Sequence, residues 1–445
     1  MLESALMKII ADLQIHSKYS RAVSKQMSLP FMARWASKKG IDLITTGDFT
    51  HPLWFREIKN SLEEVGEGIY QLKKELVDQE TLNPPKFFLT TEISSIYSQG
   101  GRVRRIHTLI FSPNLETVEA IARGLTKRGA NLIADGRPIV GLSAKNVAEI
   151  ALNVNEKCLI IPAHAWTPHF SVFGQASGFD SLEECFGELA PYIYAIETGL
   201  SSDPAMNWKI EELDKRNIVS FSDAHSGPKI GREATIFEIK GEISFEKIRE
   251  AIINLSDQNL SQISSTIEFY PEEGKYHYTG HRNCGIVYSP KEARKVGSIC
   301  PVCKKPLTQG VASRVESLAS NEIETESKTD NFGVRWIYNK GVKRPPYTMT
   351  VPLMEIIAEV LKVGVGSKRV TLVYDQMINS LGNEFKILLT EEIEKVRSQF
   401  GEKISEAISK VRSGDIYIEP GFDGVFGKVK IWGEEKENLK QESLF

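Results

Sequence analysis

No stretch of this chain approaches the run of about 18 consecutive apolar residues that a membrane-spanning helix requires, so the sequence excludes such a helix. The start, MLESALMKIIADLQIHS, has no basic segment leading into a long apolar one, and no secretory leader is expected. Cysteine is scarce and odd in number, five in 445 residues. That argues against a disulfide framework and for a reducing, cytoplasmic setting. Charge of either sign is not in excess: 55 Lys and Arg face 58 Asp and Glu, a net −3. A chain-wide cationic surface is thereby excluded, and any phosphate-binding face must be local. There is no Gly-rich phosphate loop, no Ser-His-Asp arrangement and no internal repeat. Neither ATP-driven work nor a serine nucleophile is expected.

What is present repeats one theme over the first 240 residues. Short β-rich runs end in His, Asp or Glu: KIIADLQIHS (8–17), IDLITTGDFTH (41–51), KFFLTTEIS (86–94), RRIHTLIFS (104–112), CLIIPAHAW (158–166), YIYAIETG (192–199) and IVSFSDAHS (218–226). Helical patterns lie between them, at 29–40, 115–129 and 205–217. The alternation predicts an α/β fold with a mainly parallel sheet, open or closed into a barrel. Ligands in such folds gather at the carboxyl ends of strands.

The candidate ligands at those ends are His16, Asp48, His51, Glu92, His107, His164, Asp223 and His225, which include most of the chain's eight histidines. Imidazole with carboxylate suits Zn, Mn, Mg or Fe, and Glu92 or Asp223 could bridge two ions. A multinuclear site of this kind suits hydrolysis of a phosphate ester.

After 243–256 the character changes. Residues 275–314 carry Lys275, Arg282, Lys291, Arg294, Lys295, Lys304, Lys305 and Arg314 against the single acid Glu292. His281, Cys284, Cys300 and Cys303 form an H-x₂-C and a C-x₂-C, the spacing of a structural Zn site. His277 is the other choice for the fourth ligand. Lys304 and Lys305 are candidate DNA-phosphate contacts. Residues 318–331 read as an exposed polar linker, 350–412 as helical, and 416–432 as a hairpin.

The segments DLQIHS, TTGDFTH, TTE (90–92), the isolated His107, PAHAW and SDAHS resemble the PHP (polymerase and histidinol phosphatase) superfamily. The resemblance implies a distorted (β/α)₇ barrel with a trinuclear metal site. It makes ligands of His16, His51, Glu92, His107, His164, Asp223 and His225, with Asp48 a ligand or base beside them and Glu197 behind them. The chain departs from the usual first motif at Gln14 and again at Tyr19, Ser20 and Arg21, so two or three ions are expected.

A PHP barrel followed by this Zn module, KKPLTQGVASRVESLA (304–319), a helical region and PGFDGVFG (420–427) is similar to the endonuclease Q family; GDFTHPLW (47–54) and LTQGV add to the match. The resemblance implies a DNA repair endonuclease that nicks 5′ to uracil, hypoxanthine, xanthine and abasic sites. Metal-activated water would leave a 3′-hydroxyl and a 5′-phosphate, with Asp223, Glu92 and Asp48 catalytic. A flipped base requires wedge or pocket residues, for which Trp166, Phe170 and Phe173 are candidates. Arg102, Arg104 and Arg105 could hold a backbone phosphate. The expected organisation is a barrel over 1–240, a connecting segment over 241–274, a Zn module over 275–320, a mainly helical domain over 321–435 and a tail over 436–445. Gln441, Leu444 and Phe445 in that tail resemble a bacterial sliding-clamp peptide. The competing readings are a PHP phosphoesterase for small phosphate monoesters and a degenerate PHP protein that binds DNA without cutting.

Overall fold

The computed structural model describes residues 6–433. The first strand, β1 (Leu6–Asp12), pairs in parallel with β2 (Leu43–Thr45), and β2 pairs in parallel with β3 (Lys86–Phe88). The chain then enters β4 (Thr90–Gln99), which is joined to β5 (Arg102–Phe111) by Gly100 and Gly101. Both glycines have positive φ, 60° and 72°, as a two-residue hairpin turn of the primed type requires. Two of the runs read as strands of a mainly parallel sheet are therefore antiparallel neighbours, because a Gly-Gly pair reverses the chain directly between them.

β6 (Leu159–Pro162) pairs with β5, and β7 (Ala195–Glu197) pairs with β8 (Asn217–Val219). Main-chain hydrogen bonds link these pieces into a ring. Ala165 N–H donates to Glu197 O at 3.0 Å, and His16 N–H donates to Ala224 O at 3.1 Å. The result is the distorted barrel of a mixed α/β protein. The helical pattern over 205–217 is broken into Pro204–Trp208 and a short 3₁₀ turn, Glu211–Lys215.

Apolar side chains fill the ring: Ala11, Leu43, Phe88, Leu109, Phe111, Ile161, Ala195, Val219 and Phe221 are all buried. The helix Phe245–Ile253 plugs its far end with Phe245, Ile248, Ala251 and Ile252. Phe245 stacks on Phe88 with centroids 5.3 Å apart. Each such large side chain contributes roughly 1.5–3 kcal/mol by leaving water. With one end plugged, chemistry is confined to the other, where the strands present their carboxyl ends.

The sheet continues beyond the barrel. β9 (Ala234–Lys240) runs antiparallel to β1 and β10 (Gln262–Glu268) antiparallel to β9. Outward of these lie β11 (Thr325–Thr329), β12 (Arg335–Asn339) and β13 (Tyr347–Met349), with β13 parallel to β10. The stretch read as a polar linker thus contains an edge strand. The edge position explains its polarity, since charged edges resist further pairing.

The helices Leu353–Leu361, Lys368–Leu381, Glu384–Leu389, Ile393–Phe400 and Glu402–Ser413 form the expected helical region, followed by a Tyr417–Glu419/Lys428–Lys430 hairpin. It is tied to the barrel by a buried ion pair: Lys39 Nζ lies 2.7 Å from Glu384 Oε2, and Glu384 Oε1 accepts Leu353 N–H at 3.0 Å. Removing one partner of such a pair costs about 3–5 kcal/mol.

At the end of β10, Glu268 is fully buried. It accepts the hydroxyls of Ser220 at 2.5 Å and Thr198 at 3.2 Å, and also that of Thr266. Burial pushes its pKa up to about 8. The folded form therefore keeps a proton that the unfolded chain releases near pH 4.5, so stability is full below that pH and is lost as pH rises through 8. The slope is about 1.4 kcal/mol per pH unit within that window. Glu268→Gln should raise the thermal midpoint more at pH 8.5 than at pH 5. A difference that does not widen with pH would contradict the assignment.

Candidate metal centre

The functional side chains enter the open end of the ring from five places. His16 follows β1, Asp48 follows β2, Glu92 and His107 are diagonal neighbours on the β4–β5 hairpin (Glu92 pairs with Leu109 and His107 with Ser94), His164 follows β6, and Asp223 and His225 follow β8. Asp48, His164 and Asp223 have positive φ of 48°, 30° and 47°. Such backbone is unfavourable for residues with a Cβ and persists where the surroundings over-determine it. Here Asp12 fastens the Asp223 loop by accepting Ser222 N–H at 3.0 Å, Ser222 Oγ–H at 2.5 Å and Gly231 N–H at 2.9 Å. Glu197 fastens the His164 loop by accepting His164 N–H at 2.5 Å.

Two clusters result. In one, Glu92, His107 and His164 come together; in the other, His16, Asp223 and His225. Glu92 links them. Its Oε1 lies 2.5 Å from His107 Nδ1 and 3.6 Å from His164 Nε2, and its Oε2 lies 3.1 Å from His16 Nε2. Asp223 Oδ1 lies 3.1 Å from the same His16 nitrogen.

The outer hydrogen bonds turn a lone pair of each imidazole inward. His16 Nδ1 faces Asp48 Oδ1 at 3.0 Å, and Asp48 is itself held by Ser17 N–H, Ser17 Oγ and Ser20 Oγ at 2.7–2.8 Å. His164 Nδ1 donates to Thr167 Oγ1 at 3.0 Å, His225 Nδ1 donates to Asp223 O at 2.7 Å, and His107 Nε2 pairs with Ser94 Oγ at 3.0 Å. This is the usual bracing of metal-ligating histidines. Glu92 Oε1 and Asp223 Oδ1 are buried yet receive no hydrogen bond. Buried carboxylate oxygens that face imidazole nitrogens and receive no hydrogen bond fit divalent cations.

Protonation agrees with that fit. Burial lowers His107 to about 4 and also lowers His225. Burial opposes ionisation of Glu92 and Asp223, but His107 and Arg137 hold Glu92 well below its usual range, and His16 does the same for Asp223. Burial likewise opposes a proton on His16, but Asp48, with Asp223 and Glu92, holds its pKa well above the ordinary value. A metal ion binding at its Nε2 would displace that proton.

Several expected residues stand elsewhere. His51 belongs to neither cluster: its Nδ1 accepts Trp54 N–H at 3.4 Å, capping the helix Pro52–Ser61, and its Nε2 faces Ile133 O at 3.2 Å. With both nitrogens on main chain, it has no face for an ion. Asp48 orients His16 and stands behind it. Gln14 donates to Glu92 Oε2 at 2.8 Å, so its amide supports a ligand carboxylate. Trp166 and Phe173 are not wedges. Both are fully buried, with centroids 4.8 Å apart, and Trp166 Nε1 donates to Asn207 Oδ1 at 2.7 Å. Of the three aromatics only Phe170 reaches the site, 4.7 Å from the His107 ring. Arg104 is spent on Gly178 O and on the Phe179 ring at 4.0 Å. Arg105 lies 5.8 Å over Phe170, and Arg102 is exposed.

Sequence reasoning missed Arg137, whose Nη1 is 3.5 Å from both Glu92 Oε1 and His16 Nε2. It follows no strand of the barrel and belongs to no histidine motif. A Gly-Pro-flanked cation, D-G-R-P, was the available signal.

His281, Cys284, Cys300 and Cys303 gather in a third cluster. His277 is apart from them, stacked on Tyr278 at 5.3 Å. The module is seated on the loop after His164: Arg314 donates to Phe173 O and Phe179 O at 3.0 Å and pairs with Asp180 at 2.6 Å. Lys304 and Lys305 are exposed on its surface. Gln441, Leu444 and Phe445 lie outside the described residues. Among the described residues no helix is long and apolar enough to cross a membrane.

Comparison with known proteins adds an independent line. Residues 352–415 match the family model described as the MJ0043 C-terminal domain. The uncharacterized protein MJ0043 of Methanocaldococcus jannaschii is 30% identical over 285 residues, 63% of this chain and 33% of that protein, so the chain spans a third of that relative's length. The uncharacterized protein YqxK of Bacillus subtilis is 29% identical over 439 residues, 95% of this chain and 99% of that one. Among solved structures, the lesion-specific endonuclease PfuEndoQ of Pyrococcus furiosus superposes with a TM-score of 0.79 at 31% identity, over 97% of this chain and 98% of that one. An endonuclease Q in complex with a 27-mer duplex bearing an abasic lesion at its active site gives 0.77 at 32% identity, over 97% of this chain and all of that one. Barrel, Zn-ligand cluster and helical region align together over nearly the full length, and the chain belongs to the endonuclease Q family.

Proposed function

We propose that this protein is a metal-dependent DNA repair endonuclease that nicks the phosphodiester bond 5′ to deaminated bases (uracil, hypoxanthine and xanthine) and to abasic sites. The observation that carries the reading is Glu92, which ties two imidazole-carboxylate clusters together at the open end of the barrel. When bound there, divalent ions lower the pKa of water and neutralise charge on attacking and leaving oxygens. The chain's own residues do the rest. Asp48, Ser94 and Thr167 hold the imidazoles of His16, His107 and His164 in register. Phe170 offers a ring beside His107 on which an extruded base or sugar could rest. The products are a 3′-hydroxyl and a 5′-phosphate.

The Zn-ligand module supports a polymeric substrate. It sets exposed Lys304 and Lys305 on a body fastened to the loop after His164, and a phosphatase for small monoesters has no use for such a surface. The tail residues Gln441, Leu444 and Phe445 suit a bacterial sliding clamp. Deleting 441–445 should abolish clamp capture while leaving incision of short duplexes unchanged.

End-labelled duplexes carrying uracil, hypoxanthine or an abasic site test the reading directly. Incision mapped to the 5′ side of the lesion, with undamaged duplex intact, is expected. Hydrolysis of small phosphate monoesters with every duplex left intact would favour the phosphoesterase reading. Lesion binding with no product under any divalent ion would favour a protein that binds without cutting.

A further inference from the structure

The loop that carries Arg137 is fastened to the barrel mouth at every turn. Asp135 accepts Arg21 N–H at 3.2 Å and Arg137 N–H at 3.1 Å, and pairs with Arg21 Nε at 3.2 Å. Gly136 N–H donates to Tyr19 O at 3.2 Å, and Pro138 O accepts Ser94 N–H at 3.0 Å. Ile133 O faces His51 Nε2 at 3.2 Å. Gly136 is needed for this seating, since a Cβ there would come within 2.4 Å of Asp48 Oδ2 and Ser20 Oγ. The loop is thus built against the residues that orient His16.

His51, Tyr19 and Arg21 are engaged in holding this loop, and Ser20 is engaged with Asp48. The donor atoms of the mouth make two clusters, and where ligands for a further ion were expected the chain delivers a guanidinium. That group is not there for neutralisation alone. A structural Arg closes on a carboxylate at about 2.8 Å, often in a two-point pair. Arg137 stops 3.5 Å from Glu92 and 3.5 Å from His16, and its side chain stays 24% exposed. Its remaining N–H donors have no protein acceptor among the described residues.

We propose that Arg137 is a catalytic residue whose guanidinium contacts a non-bridging oxygen of the scissile phosphate, so that two ions and one fixed cation together form the charge of the site. The proposal rests on the phosphodiester reading above. A guanidinium suits the role because it stays charged at every working pH and its planar fork matches phosphate oxygens. Charge fixed in advance, where negative charge develops, lowers the barrier without reorganisation.

Arg137→Ala and Arg137→Lys, loaded with metal, provide the test. For Arg137→Ala we expect single-turnover incision of an abasic-site duplex to fall about 100-fold or more. Metal content per chain and thermal midpoint should match wild type, duplex affinity should fall no more than about tenfold, and added guanidinium should restore part of the rate. Arg137→Lys should recover less than guanidinium does, because it keeps the charge without the fork. Orthophosphate binding measured by calorimetry should weaken about tenfold in Arg137→Ala, a readout that needs no DNA cleavage. A wild-type rate, or a loss of bound metal that accounts for the lost rate, would overturn the proposal. If wild type cuts no duplex while orthophosphate binding still depends on Arg137, the endonuclease reading falls and the phosphate contact stands.

Discussion

Glu92→Gln should leave a folded protein that binds a lesion duplex and cuts it at less than about a thousandth of the wild-type rate. The change is nearly isosteric, so packing in the ring is kept. What is lost is the pair of anionic oxygens, one directed at each cluster: Oε1 toward His107 and His164, Oε2 toward His16. An amide supplies one neutral acceptor and turns an NH₂ toward the other cluster. Gln14 makes matters worse, because its own Nε2 donates to Glu92 Oε2 and would then meet a second amide. Metal content should fall by at least one ion per chain, since affinity depends on the anionic ligand. Arg137 and His16 would also lose their shared counter-charge, so some loss of stability should accompany the loss of metal. Metal analysis and single-turnover kinetics on one preparation check both effects. Wild-type cleavage with full metal content would remove Glu92 from the mechanism.

The contrast between Glu92 and Arg137 shows why part of this site could be read in the sequence and part could not. Strand ends are marked twice, by an apolar run and by the polar residue that stops it, so His16, His164 and Asp223 stood out as a set; Glu92 stood out with them although it lies inside β4. His107 was found for its type, although its hairpin geometry was not expected: a parallel reading of its run ignored Gly100 and Gly101. Arg137 sits in a loop whose shape depends on Tyr19, Asp48, His51 and Ser94, residues far from it in the chain. No local pattern encodes such a placement. His51 failed for the related reason that its neighbours decide what its nitrogens face. Trp166 and Phe173 show the converse error, in which large aromatics near a functional histidine turn out to be the packing that holds its loop. The edge strand Thr325–Thr329 read as linker because edge position and loop polarity look alike in one dimension.

Cys300→Ser should remove about one zinc per chain and unfold the segment around it, lowering the thermal midpoint and weakening DNA binding together. The module has almost no core of its own. Between residues 275 and 310, Cys300 and Leu307 are the buried apolar side chains among the described residues. Two short hairpin strands, Thr279–His281 and Ile286–Tyr288, cannot hold together on that alone. The turn that presents Cys300 and Cys303 is fixed by Cys300 N–H donating to Lys305 O at 2.8 Å and Lys304 N–H donating to Cys300 O at 3.0 Å, with Lys304 at φ 63°. An unfavourable φ at a non-glycine residue costs of order 1–3 kcal/mol, and metal binding at the cysteines beside it offsets that cost. Loss of a ligand should therefore release the turn and with it Lys304 and Lys305, the exposed cations proposed to contact the DNA backbone. The salt dependence of binding should flatten by up to roughly two units of log K against log salt. Cys158→Ser is the control. That thiol is buried beside β6, its pKa pushed up to about 12 by burial, so its loss should cost packing energy but no zinc. Equal zinc content in Cys300→Ser and Cys158→Ser would show that the cluster at His281, Cys284, Cys300 and Cys303 holds no ion.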